Sequence, residues 1–327
     1  MRGIVSPKLV PFLEQANTAI AAFKATGQGF SAELVRQGLD NLSALIGAGP
    51  NMSTVKDDFL VTPSHNIPVR IYNPAPNDVL PVLLHFHGGG HMCGSVDLYD
   101  PISRKLALAT HAIVICADYR LAPEHPYPAG LDDCQQVLER YKSLLTGMKH
   151  SDELYIAGDS AGGAICTSLV MNNSSNEKTN DSVKIDKQIL VYPSVDYTMV
   201  SASIEENGQG FLLEKDKVQW YFQQYLQVGN LDQDEIAQAK AVEASPLLGQ
   251  FSANMPTTLV ITAGCDPLRD EGIAYAKSLA EVGVSVEQYS FDGMTHAYML
   301  LNDLVSDECE QTYQLIGQFV KSGTIAQ

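Results

Sequence analysis

The chain has 327 residues, 45% hydrophobic and 18% charged, enough for one large α/β domain, alone or with a small appendage, around a sizeable core. Its formal net charge is -17, from Asp+Glu 38 against Lys+Arg 21. Such a surface repels polyanions, which excludes nucleic acid and membrane insertion at anionic bilayers. It also disfavours strongly anionic small molecules unless a local basic pocket overrides the field.

Residues 1 to about 50 read as helical. Leu34, Val35, Leu39 and Leu42 fall near one face, Ser31 can serve as N-cap, and Gly47-Ala48-Gly49-Pro50 ends the segment. The texture changes at Val55. Asp57 to Thr62 and Ile67 to Tyr72 are short strands around a Pro-Ser-His-Asn turn, which predicts an antiparallel hairpin. After that, strand and helix signals alternate. Strands are expected at Val82–Phe86, Ala112–Ala117, Glu153–Ala157, Gln188–Tyr192, Thr257–Thr262 and Val284–Tyr289. Helices are expected near Tyr99–Leu108, Leu131–Leu145, Ala164–Met171, Gly272–Val282 and Glu310–Val320. Alternation of this kind, with continuous apolar strands, implies an α/β fold with a mostly parallel eight-stranded sheet covered on both faces.

One segment breaks the rhythm. Between Tyr192 and Thr257 no strand is convincing, while Phe211 to Leu226 looks helical. A structureless loop of that length is improbable in a compact domain, so a helical insertion is expected at about 196–250. Asn172 to Asp181 reads as a polar surface loop. None of the six cysteines lies in a C-x-x-C pair, and several sit in apolar or helical surroundings. They read as reduced thiols of a cytoplasmic protein. The first residues lack the apolar core of a signal peptide, and no apolar run approaches a membrane span.

Chemistry enters at Gly158-Asp159-Ser160-Ala161-Gly162, between an apolar stretch and a helix-forming run. A serine between glycines on a sharp strand-to-helix turn is a way of presenting a nucleophile. A serine hydroxyl needs a base beside it. His296 follows the last expected strand, and Asp266 follows the one before it, both on the sheet edge that carries Ser160. Asp270, Glu271 and Asp292 are rival acids, but Asp266 is nearest the strand end, and the first two suit a helix start for dipole reasons alone. His87-Gly88-Gly89-Gly90 follows another strand. Its glycines let backbone approach a ligand, so the N–H groups of Gly88 and Gly89, with that of Ala161, are the expected donors to a developing oxyanion. Asp159 is expected to anchor the turn rather than to act on substrate. His91, Tyr192, Phe211, Met294 and Tyr298 are candidates for the pocket wall. His85, His87 and His91 invite a metal reading, but no ligand cluster completes the set, so no metal is expected.

With these motifs in hand, the chain resembles the hormone-sensitive-lipase-like esterases of the α/β-hydrolase superfamily. The resemblance rests on His87 to Gly90, Asp118 to Ala129, Gly158 to Gly163, Asp266 to Gly272 and Gly293 to His296, in family order. It implies a catalytic α/β-hydrolase domain over 51–327, capped by helices from residues 1–50 and by the insertion. It implies hydrolysis of short- to medium-chain carboxylic esters, a small-molecule ester as partner and no cofactor. Homodimers, which members often form, are a further implied assembly. Receptors on the same fold typically lose the catalytic histidine, which His296 argues against. An amidase or lactonase would use the same triad. The chain departs from the family pattern at His91, often a bulky aromatic, and at His85, often tyrosine.

Overall fold

The computed structural model describes residues 1–175, 183–231 and 234–322. Eight strands form one sheet: β1 (Thr54–Val61), β2 (Asn66–Asn73), β3 (Leu80–Phe86), β4 (Ile113–Ala117), β5 (His150–Asp159), β6 (Lys187–Val191), β7 (Thr257–Cys265) and β8 (Val286–Thr295), in the order β1-β2-β4-β3-β5-β6-β7-β8. The first two pair as an antiparallel hairpin, β2 is antiparallel to β4, and every later neighbour pair is parallel. The crossover at β3 and β5 creates the switch point where an open α/β sheet leaves a crevice beyond its carboxyl ends.

The strands read as uninterrupted apolar runs because both faces are covered. Side chains still alternate. Val82, Leu84 and Phe86 of β3, Ile113 and Ile115 of β4, and Leu154 and Ile156 of β5 enter one core. Leu83, Val114, Cys116, Tyr155 and Ala157 enter the other. The helices divide accordingly. In chain order they are α1 (Val10–Ala25), α2 (Ala32–Asp40), α3 (Ser43–Ile46), α4 (Asp100–Thr110), α5 (Ala129–Arg140), α6 (Ala161–Ser175), α7 (Ala202–Asn207), α8 (Lys215–Leu226), α9 (Glu235–Ala244), α10 (Arg269–Glu281) and α11 (Ser306–Lys321). Helices α5, α6 and α10 cover the first core, while α4 and α11 cover the second.

Ser31 caps α2 as expected, accepting the Leu34 N–H at 3.2 Å. Other boundaries differ from the sequence expectation. The helix expected from Phe211 begins only at Lys215, because Gly210 and Leu212 adopt left-handed backbone (φ 81° and 74°). The insertion also carries α7 and α9, which were not foreseen. The polar loop expected at Asn172–Asp181 is helical through Ser175, and its remainder lies outside the described residues. A third apolar cluster joins Val35 of α2 to Val218, Phe222 and Leu226 of α8 and Ala237 and Ala241 of α9. It sits over the crevice and forms the roof of a cavity.

Candidate active site

β5 ends at Asp159 and α6 begins at Ala161, so Ser160 takes the whole reversal, with φ 52°. Its N–H donates to Val191 O at 3.0 Å and its carbonyl accepts the Ser194 N–H at 3.0 Å, which ties the turn to β6. The turn needs glycine at 162: a Cβ there would lie 1.9 Å from Phe86 O. Ser160 Oγ is 2.8 Å from His296 Nε2, and His296 Nδ1 is 2.8 Å from Asp266 Oδ2. Asp266 is fully buried, and its Oδ1 accepts the Leu268 N–H at 2.8 Å.

The rival acids are engaged elsewhere. Asp270 accepts the Ser203 N–H and an N–H of Arg269. Glu271 accepts the Val195 and Asp196 N–H groups, and burial pushes its carboxyl well above the usual range. Asp292 accepts from the Ser290 hydroxyl on the surface.

The glycine loop corrects one expectation. The Gly88 N–H donates to Asp159 Oδ1 at 2.9 Å, so it is spent on structure and does not face the cavity. The chain turns one residue later, with φ 122° at Gly89 and 63° at Gly90. Gly89, Gly90 and Ala161 line the cavity, and among the described residues their N–H groups have no acceptor. The α6 helix starts at the same point and turns its positive end toward Ser160.

Asp159 holds the two loops together, because its Oδ2 also accepts the Tyr99 hydroxyl at 2.9 Å. Burial raises its carboxyl to about 6, against the Tyr99 and Gly88 hydrogen bonds that favour the anion. The folded state therefore holds this proton more tightly than the unfolded chain, whose value is 3.8. Stability from this group is present below that value, falls as pH rises toward 6 and stays lost above it. Asparagine can keep both contacts, its oxygen accepting from Gly88 and its amide donating to Tyr99. In Asp159→Asn the fall in stability between pH 4 and 6 is expected to flatten, as read by urea unfolding across that range. Parallel curves for variant and wild type would contradict the assignment.

His85, His87 and His91 face different partners. His85 Nδ1 meets Ser103 Oγ at 2.9 Å. His87 Nδ1 meets Gly88 O at 2.8 Å, and its ring stacks on Tyr119, centroids 4.5 Å apart. His91 Nε2 meets the Tyr197 hydroxyl at 2.8 Å, and its ring lies 3.7 Å from that of Tyr225 on α8. Burial pushes His85 and His91 down to about 3, so both are neutral at pH 7. The Asp118–Ala129 stretch packs beside them, with Arg120 paired to Asp133 and Glu124 to Arg36.

A cavity of about 680 Å³ opens above Ser160 and His296. Its walls come from α1 (Phe12, Ile20), α2 (Leu39) and α8 (Val218, Tyr221, Phe222). Of the five expected wall residues only His91 is among them. Tyr192, Phe211, Met294 and Tyr298 are buried in one core cluster instead. Tyr192 and Tyr298 support the site from within: the Tyr192 ring is 4.9 Å from that of His296 and 5.4 Å from that of Tyr298.

Comparison with known proteins gives the same frame. A family model described as the alpha/beta hydrolase fold matches residues 83–300, more than half of the chain. The ethyl acetate hydrolase of Pseudomonas putida is 31% identical over 316 residues, covering 94% of this chain and 95% of its own. Carboxylesterase NlhH of Mycobacterium tuberculosis is 36% identical over 250 residues, 76% of each chain. The solved structure of a hyperthermophilic esterase from the archaeon Pyrobaculum calidifontis superposes with a TM-score of 0.81 at 29% identity, covering 99% of this chain and 100% of that one. This chain belongs to the hormone-sensitive-lipase-like family of carboxylic ester hydrolases on the α/β-hydrolase fold.

Proposed function

We propose that the chain hydrolyses carboxylic esters of short to medium acyl length through an acyl-enzyme on Ser160. Ser160 Oγ attacks the ester carbonyl while His296 Nε2 takes its proton. The ester C–O bond then breaks, and His296 gives the proton to the leaving alkoxide. Water, activated by the same imidazole, attacks the acyl carbon and frees Ser160. Asp266 holds the Nδ1–H and stabilises the imidazolium. The N–H groups of Gly89, Gly90 and Ala161 meet the oxyanion, Gly90 replacing Gly88 in that role. The chemistry calls on these groups and water alone.

The observation that carries the reading is the unbroken run of hydrogen bonds from Asp266 through His296 to Ser160, beside three unpartnered N–H groups. The apolar walls of the cavity support a short to medium acyl chain. We read residues 1–50 and the 196–250 insertion as a cap over a catalytic domain that spans 51–327, because α1, α2 and α8 supply those walls. A reducing, cytoplasmic setting accords with six cysteines that are all unpaired and buried. Among the described residues, no helix is long and apolar enough to cross a membrane.

A panel of p-nitrophenyl esters from acetate to decanoate tests the reading, together with labelling by a p-nitrophenyl phosphonate and peptide mass analysis. The expected result is a rate maximum between butyrate and octanoate, with the phosphonyl group on the Ser160 peptide. Absence of hydrolysis across the panel, or an adduct on another residue, contradicts it.

A further inference from the structure

The cavity wall carries one feature that ester hydrolysis does not use. Lys217 lies in the first turn of α8, half-buried, and lines the cavity. Among the described residues its Nζ has no hydrogen-bond acceptor and no ion-pair partner. Its contact is the face of Tyr221, with the ring centroid at 5.6 Å. The neighbouring acids are engaged elsewhere. Glu214 and Asp216 both hold Lys24, at 2.6 and 2.7 Å. The other oxygen of Glu214 accepts the Gly210 N–H, and that of Asp216 accepts the Lys217 backbone N–H.

Three costs meet at this ammonium. It is partly withdrawn from water, and burial lowers its pKa from the usual value. It sits at the positive end of a helix, where acids are favoured. Among the described residues it lacks a counter-ion, although the chain has Asp+Glu 38. A lysine serving solubility would point outward, as Lys215 does toward Glu205. The cost is recovered when an anion enters the cavity.

We propose that Lys217 anchors an anionic group of the substrate, so that the preferred esters carry a carboxylate. The proposal rests on the reading of this cavity as the ester site. Tyr221, one turn further along α8, packs against the glycine loop: a Cβ on Gly90 would lie 3.0 Å from its ring. The Lys217 ammonium and the glycine loop therefore share Tyr221 as a neighbour, so one ester molecule in the cavity can place a carboxylate at Lys217 and its carbonyl at the loop. The global charge of -17 repels such a substrate at long range, and the local cation supplies the overriding pocket.

The test compares kcat/KM for anionic and neutral esters in wild type, Lys217→Met and Lys217→Arg. Monoethyl adipate places the carboxylate on the acyl side and 4-acetoxybutyrate on the alcohol side. Ethyl hexanoate and p-nitrophenyl butyrate are the neutral references. The anionic-to-neutral ratio on one of the two arms is expected to fall about tenfold or more in Lys217→Met, through KM, and to recover in Lys217→Arg. In wild type, kcat/KM on at least one arm should be higher for the anionic ester than for its neutral reference, a readout that does not depend on a variant folding. A ratio equal to wild type in Lys217→Met on both arms, or a wild type that prefers the neutral reference on both arms, overturns the role of Lys217 while leaving the ester reading standing. Wild type that fails to hydrolyse p-nitrophenyl butyrate overturns the ester reading, and this proposal with it.

Discussion

Ser160→Ala is expected to lower kcat for p-nitrophenyl butyrate by ~10⁵-fold, with KM nearly unchanged and the unfolding transition intact. The hydroxyl lost is the group that bonds to the substrate carbon, and nothing nearby replaces it. Tyr99 is committed to Asp159, and the Ser194 hydroxyl, which also lines the cavity, makes no hydrogen bond to His296 that could activate it. The remaining machinery stays in place. His296 keeps its 2.8 Å bond to Asp266, and the Gly89, Gly90 and Ala161 N–H groups still line the cavity. A residual rate of about 10³-fold over water is therefore expected from oxyanion contacts and binding. The same logic makes the losses non-additive. His296→Ala alone should cost about as much, because a hydroxyl without its base is barely nucleophilic. The double variant should be no worse than either single one within about tenfold. Single-turnover kinetics on the three variants measure this. Losses that multiply would mean that Ser160 and His296 act independently, which the proposed mechanism forbids.

Much of the site was legible because the chemistry sits at strand ends. Apolar runs fix the strands, and a parallel sheet puts their carboxyl ends on one edge, so Ser160, Asp266 and His296 converge without any knowledge of loop paths. Directions of backbone groups were not legible. Whether Gly88 or Gly90 turns its N–H inward depends on the twist at Gly89 and on Asp159, seventy-one residues away, which takes the Gly88 N–H. The hydrophobic pattern also cannot tell a wall from the support behind it. Met294 and Tyr298 flank His296 in sequence and Tyr192 directly follows β6, yet all three enter the core shared with α4 and α11. Phe211 reads as a helical residue, but left-handed backbone at Gly210 and Leu212 places it under Arg2, whose guanidinium carbon is 4.3 Å from the ring. Residues of the true wall, such as Tyr221 and Phe222, lie on α8, whose position over the crevice is set by tertiary packing with α2 and α9.

Asp266→Asn is expected to lower kcat by ~10⁴-fold, through the proton position on His296 rather than through loss of structure. Both carboxylate oxygens of Asp266 accept: Oδ2 faces His296 Nδ1 and Oδ1 takes the Leu268 N–H, each at 2.8 Å. An amide has one acceptor and one donor in the same places. With its oxygen toward Leu268, its NH₂ faces Nδ1 and favours the tautomer that carries hydrogen on Nε2. That imidazole cannot accept the Ser160 proton. With its oxygen toward His296, its NH₂ opposes the Leu268 N–H, two donors facing each other in a fully buried spot. Either orientation removes something the carboxylate supplies. Asp270→Asn provides the contrast, since that side chain meets Ser203 and Arg269 and has no contact with the imidazole. Its kcat should stay within about threefold of wild type, the range of a surface change away from the reacting atoms. Steady-state rates and pH–rate profiles of the two variants separate the roles. Collapse of activity in Asp270→Asn with survival in Asp266→Asn would move the acid to the helix start and dissolve the triad as drawn.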